Sequence, residues 1–166
     1  MGNTIITVGW REWLVLPALG LPPVKAKVDT GAKTSCLHAF SVEPFTKDDK
    51  TWVRFGMHPN QNDTISETFC EAEVSDQRMV TDSGGHQENR YVITTELLIG
   101  GQQWPIEMTL TNRDTMRFRM LLGRTAMEER VIVNPSASYL LGKPRIPTAN
   151  KLVDRDLHEN SNLISK

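Results

Sequence analysis

The sequence predicts an all-β fold, a closed barrel of short strands with one short helix, on three observations. Apolar and polar residues alternate with period two in several stretches, most clearly where Val24, Ala26 and Val28 interleave with Lys25 and Lys27. Runs rich in β-branched and aromatic residues are short, and Gly, Pro, Asn and Asp clusters separate them at close intervals. Only Thr125–Arg130 reads as a helical turn, with Thr125 placed to cap it and Glu128 three residues on.

Taken in order, Thr4–Val8 is a β-branched run, followed by Gly9-Trp10-Arg11-Glu12-Trp13 and the apolar Leu14-Val15-Leu16. Trp10 and Trp13 are expected as core or interface anchors. Pro17, Gly20, Pro22 and Pro23 break the chain before the strand that leads into Asp29. Lys33–Phe40 continues as a second strand. It puts Cys36 and His38 on one face, where His38 is expected to be a packed, satisfied histidine because no second Cys/His pair accompanies it. Trp52–Phe55 and Phe69–Val74 read as strands. Arg78–Val92 reads as a hairpin whose tip is Ser83-Gly84-Gly85. Tyr91–Ile99 and Trp104–Leu110 pair across Gly100-Gly101, and Phe118–Leu122 ends in Gly123-Arg124. Val131–Val133 and Tyr139–Leu141 are expected as two last strands. Residues 1–142 therefore read as one domain, and residues 143–166, with Pro144, Pro147 and scattered charge, as a flexible tail.

Composition narrows the function classes. The chain has 166 residues and a formal net charge of −1, which gives no bulk attraction to nucleic acid or membrane. Two cysteines, Cys36 and Cys70, are too few for a disulfide framework and fit a reducing cytoplasm. The first residues carry neither the basic nor the sustained apolar segment of a secretory leader, and no run reaches transmembrane length. No His-Glu-x-x-His frame and no Gly-rich loop ending in Gly-Lys-Ser/Thr occurs, so neither zinc nor ATP is expected.

Asp29-Thr30-Gly31-Ala32 is the stretch around which the rest is organised. Alone it reads as an Asx-type turn, since all three of its first residues favour turns. Together with the Ser83–Gly85 hairpin and Leu121-Leu122-Gly123-Arg124 before a helix, in that order and spacing, it resembles a retroviral-type aspartic protease, or retropepsin. More narrowly, the chain resembles the RimB-like family of retropepsins, once labelled ATP-dependent zinc proteases. Gly9–Trp13, Lys27–Ser35, Leu37-His38-Ala39, Trp52–Phe55 and Leu110-Thr111-Asn112-Arg113 carry that closer match.

The resemblance implies a cytoplasmic homodimer, because one Asp-Thr-Gly per chain must meet its copy across a two-fold axis to supply two carboxylates. It makes Asp29 the catalytic residue and Thr30, Gly31, Ala32, Gly123 and Arg124 its support. Ser83, Gly84 and Gly85 become a closing flap. Lys33 stands where retroviral enzymes place the acidic brace for the arginine of Gly-Arg, which leaves Arg124 needing another partner. Lys33, Arg119, Arg117, Arg78, Arg90 and Leu121 are the expected substrate-binding residues, a basic set suited to an acidic peptide. RimB-like enzymes are associated with trimming the glutamate tail that a RimK-type ligase adds to a small-subunit ribosomal protein. The competing expectations are a general cytoplasmic peptidase and a non-catalytic peptide-binding module of the same fold. No direct contact with nucleic acid or membrane is expected.

Overall fold

The computed structural model of the protein describes residues 4–60, 65–113 and 117–144. In chain order its strands are β1 (Ile6–Val8), β2 (Arg11–Leu14), β3 (Val24–Val28), β4 (Ser35–Ala39), β5 (Ser41–Lys47), β6 (Lys50–Met57), β7 (Thr68–Glu73), β8 (Asp76–Thr81), β9 (Gln87–Ile99), β10 (Gln102–Asn112), β11 (Met120–Leu122) and β12 (Val131–Val133). The helix α1 spans Arg124–Met127. The all-β class holds. Most of the expected tail, residues 145–166, lies outside the described residues.

The expected closed barrel is not found. Seven strands form one open sheet in the order β2-β3-β11-β4-β10-β9-β8, and no ladder joins β2 to β8 among the described residues. One antiparallel bridge, Val15 to Leu98, ties the chain just after β2 to β9. The remaining strands are drawn into separate pairings: β5-β6-β7 make a second antiparallel sheet, and β1 pairs in parallel with β12. Phe55 and Met57 from the second sheet join Leu37, Ile93, Met108 and Met120 from the first in one core cluster. Each such side chain, fully removed from water, contributes about 1.5–3 kcal/mol.

Two local expectations need correcting, and one strand was not expected. β5 is an edge strand, where a missing N–H costs no ladder bond, and Pro44 lies opposite Val53. Tyr139–Leu141 is a turn rather than a strand. Tyr139 has φ 51°, and the Leu140 and Leu141 amides donate to the buried Glu12 carboxylate at 3.0 and 3.2 Å. The Gly9 amide joins them at 2.7 Å, so one carboxylate satisfies three backbone donors that a ladder would otherwise need. Thr125 does not cap α1. Gly123 is the N-cap and makes no side-chain cap bond. The free amides at that end, Arg124 and Thr125, donate instead to the carbonyls of Ala32 (2.7 Å) and Lys33 (3.0 Å), which fastens the helix to the Asp29 turn.

Candidate active site

β3 delivers Asp29 to the mouth of a cleft of about 820 Å³. The Asp29 amide donates to Leu122 O at 2.9 Å, extending the parallel β3–β11 pairing by one residue. The chain then turns back on itself. Asp29 Oδ1 accepts from the Gly31 amide (3.0 Å) and the Ala32 amide (3.2 Å), so the Asx-type turn is real and serves to orient the carboxylate. Oδ2 makes no hydrogen bond among the described residues. Asp29 is half-buried, whereas Thr30 and Gly31 are exposed at the surface of the chain.

Behind this turn sits Gly123. A Cβ there would lie 2.6 Å from the Thr34 carbonyl carbon and 2.7 Å from the Ser35 amide nitrogen. Its own amide donates to the buried Ser35 Oγ at 2.9 Å. Arg124, whose partner the sequence left open, reaches the turn directly: Nη1 donates to Thr30 O at 3.2 Å, and Nε lies 3.9 Å from Glu128 Oε1. The Thr30 carbonyl thus takes the place of the acidic brace that Lys33 displaced.

The hairpin forms the opposite wall. β8 and β9 pair from Asp76 to Thr81, with Arg78 directly across from Arg90. Asp82, which sequence reasoning passed over, organises the tip: its Oδ1 accepts from the Gly84 and His86 amides, both at 2.9 Å, and its Oδ2 meets Arg113 Nη2 at 3.1 Å. The His86 amide, then the Arg113 guanidinium, hold the Asp82 carboxyl below the usual carboxylate range. An Asp opening Asp-Ser-Gly-Gly is the signal that was available. Ser83 lines the cleft; Gly84 and Gly85 form the rest of the exposed tip.

The expected basic set is only partly brought together. Lys33, Arg78, Arg90 and Leu121 line the cleft. Arg78 is engaged by Asp76 at 2.7 Å and by Glu107, and Arg90 by Glu88 at 3.0 Å. Lys33 is exposed and has no carboxylate partner among the described residues. Arg117 is exposed and Arg119 is 5% exposed, and neither is among the residues that line the cleft. Arg119 is buried just before β11, and its carbonyl accepts from the His38 amide at 2.8 Å.

What the sequence missed is the cleft floor. Cys36 and His38 of β4 and Thr109 of β10 line it, and Arg113 closes one side. His38 is buried, as expected, but not satisfied: neither ring nitrogen has a hydrogen-bond partner among the described residues. Burial, followed by the Arg90, Arg113 and Arg119 guanidiniums, pushes its pKa down to about 4. Cys36 and Cys70 are both buried free thiols, and burial raises the pKa of each. No group of three or more His, Cys, Asp or Glu side chains among the described residues is arranged to hold a metal ion. No described helix is long and apolar enough to cross a membrane.

Comparison with known proteins adds three findings. The family described as RimB-like, retropepsin-like aspartic endopeptidase RimB, matches residues 7–144. Proteins named probable alpha-L-glutamate ligase are similar in sequence: one from Parasynechococcus marenigrum is 52% identical over 140 residues, which is 84% of this chain and 30% of that protein. Another, from Shewanella pealeana, is 46% identical over 143 residues, 86% of this chain and 31% of its own length. The chain therefore spans under a third of these relatives. The crystal structure of Lpg0085, a Legionella pneumophila protein of unknown function, shares the fold with TM-score 0.69 and 24% identity, covering 83% of this chain and 99% of that one.

Proposed function

The chain belongs to the RimB-like family of retropepsin-like aspartic endopeptidases, and from that premise we propose that it hydrolyses peptide bonds in glutamate-rich chains as a homodimer. The observation that carries this is Asp29. It is a half-buried carboxylate at the cleft mouth, oriented by two backbone amides, with no cationic partner among the described residues. A carboxylate fixed in this way is suited to proton transfer rather than to an ion pair.

One such carboxylate per chain is half of the chemistry. In the proposed dimer the two Asp29 side chains face each other at the two-fold axis, and like charges that close share one proton. The ionised carboxylate takes a proton from a water held between them, and that water attacks the scissile carbonyl. The protonated carboxylate donates to the oxyanion as it develops; the other then gives the water's proton to the leaving nitrogen as the C–N bond breaks, and the first recovers one from a hydroxyl of the tetrahedral intermediate, which restores the shared proton. In this reading Thr30, exposed in the single chain, meets its copy, and the hairpin tip closes over an extended substrate by strand addition.

The glutamate-rich substrate is supported by two independent lines. Cleft-lining Lys33 favours an anionic chain, as do Arg90 and Arg113, which keep donors beyond those their carboxylate partners use. Relatives about three times as long carry the name probable alpha-L-glutamate ligase, and in this reading the domain would shorten the glutamate product of such a ligase. The natural target in this reading is the glutamate tail of a small-subunit ribosomal protein, in the cytoplasm, with no metal or nucleotide cofactor.

The test is incubation of the full chain with an oligoglutamate-tailed peptide, with products read by mass spectrometry. Wild type should release shortened glutamate chains. Asp29→Asn should lower turnover by about two to four orders of magnitude while keeping fold and dimer. Activity within about tenfold of wild type in that variant, or activity lost to a chelator and restored by zinc, would reject the aspartic mechanism. Specific activity should also fall on dilution as the dimer dissociates. Tight peptide binding without any cleavage by wild type would select the binding-module reading instead.

A further inference from the structure

The cleft floor holds a feature that the Asp29 chemistry does not use. His38 is 4% exposed, lines the cleft, and both its ring nitrogens lack a hydrogen-bond partner among the described residues. Leaving a buried imidazole unsatisfied is costly, and such a group ordinarily has a partner. What surrounds the ring selects that partner. Arg90, Arg113 and Arg119 all act on it electrostatically, against Glu88 as the opposing charge. A metal cation is disfavoured there, although Cys36 and His38 are ligand types on one strand face. An anion is favoured.

The guanidiniums keep donors to spare. Arg90 uses Nε on Glu88 at 3.0 Å and Nη1 on the Cys36 sulfur at 3.4 Å. Glu88 is itself fixed by the Thr111 hydroxyl, which donates to it at 3.1 and 3.2 Å, so Arg90 is held rigidly across the floor. Arg113 uses Nη2 on Asp82. A guanidinium carries five N–H donors, so each retains several for a ligand.

We propose that His38, Arg90 and Arg113 form a carboxylate-binding subsite on the cleft floor, which takes one carboxylate of a glutamyl substrate. This rests on the acidic-peptide reading above and deepens it. The neutral imidazole donates one N–H to a carboxylate oxygen, and the two arginines supply charge and the remaining hydrogen bonds. Arg78 is left out, because Asp76 and Glu107 already engage it. The carboxylate is either a glutamate side chain or the free end of the chain, and the chemistry is the same for both.

The experiment uses the full-length chain carrying Asp29→Asn, which holds peptide without cutting it, titrated with fluorescent hexaglutamate and hexaglutamine. With the subsite intact, hexaglutamate should bind more tightly. Adding His38→Ala or Arg113→Gln should weaken hexaglutamate by about tenfold or more and hexaglutamine by less than about twofold. Arg113 is exposed, so its variant folds even if the buried His38 variant does not, and thermal melts report which has folded. Hexaglutamate with an amidated C-terminus separates the two sources: retained affinity assigns the subsite to a side chain, lost affinity to the chain end. If both folded variants keep the full preference for glutamate, the subsite is wrong while the acidic-peptide reading stands. Equal weakening of both peptides by Arg113→Gln overturns it too, since that marks loss of the Asp82 tether alone. If the intact subsite shows no preference for glutamate over glutamine, the acidic-peptide reading itself fails.

Discussion

Two glycines stand at opposite walls of the cleft, and each excludes a side chain for a different reason. Gly123, behind the Asp29 turn, has no room: backbone atoms of Thr34 and Ser35 occupy the place of a Cβ. Gly85, at the hairpin tip, has room on every side and nothing within 4 Å, but its φ of +83° is one that L side chains rarely adopt. The Asp29 wall is built from bonds between distant parts of the chain, such as Asp29 to Leu122 and Ala32 to Arg124. The hairpin wall is built from local bonds within residues 82–86 and from exposed ion pairs. Fixed geometry is concentrated at the Asp29 turn, where the proposed proton transfer would need it. The opposite wall is held by interactions that open at little cost.

The largest expected effect breaks the rigid side. Gly123→Ala forces a methyl against main chain that cannot swing away, and should destabilise the protein by about 3 kcal/mol, the upper range for overpacking. Cleavage should be lost with it, because the displaced Thr34–Ser35 segment is continuous with the Asp29 turn. Denaturant melts of the variant measure this. A loss below about 1 kcal/mol would show that the wall yields, and the contrast with the hairpin would fall.

The next effect separates the floor from the hairpin by pH. The His38 pKa of about 4 in the folded chain lies below its ordinary value of 6.5, so between these values the unfolded chain binds more protons. Its contribution is complete above about pH 6.5 and is lost as pH falls toward 4. At about 1.4 kcal/mol per pH unit over the interval from 6.5 to about 4, this amounts to at most about 3.5 kcal/mol. Asp82 has a lowered pKa as well, so its hairpin contacts weaken on acidification in the same direction. Urea melts at pH 7 and pH 4.5 should show a smaller pH loss in His38→Asn than in wild type. An unchanged slope would mean that the ring is not held neutral by its surroundings.

The Asp29 wall was legible in the sequence and the cleft floor was not, and the reason is physical. Asp29, Gly31, Gly123 and Arg124 act through backbone geometry, which imposes residue types at fixed spacing. Arg90 was expected in the cleft and lines it, but His38 of β4 and Arg113 at the end of β10 join it only through strand order in the sheet. Nothing local in β4 distinguishes His38 from a packed histidine. Arg119 escaped for a related reason: counting back from Gly123 puts it two residues from cleft-lining Leu121, yet it precedes β11 in a stretch, Phe118 to Met120, that is buried without alternation. Similarly, the Glu12 carboxylate, far away in the chain, took up the donors of an expected strand.

The smallest expected effect tests the hairpin. Gly85→Ala meets no neighbour, so its only cost is the left-handed backbone, about 1 kcal/mol, and Gly85→Asn should recover part of it because asparagine tolerates that region. The Asp82 carboxylate still holds the Gly84 and His86 amides on either side, so the turn survives the substitution. The melting temperature should therefore fall by only a few degrees. If the tip closes over substrate, the change should appear in kcat/KM for the glutamate peptide, with Asn again milder than Ala. A destabilisation by Gly85→Ala equal to that of Gly123→Ala would mean that the tip is packed as tightly as the Asp29 wall. A melting change without any change in kcat/KM would mean that the tip stays clear of the substrate, and the closing role assigned to it would be withdrawn.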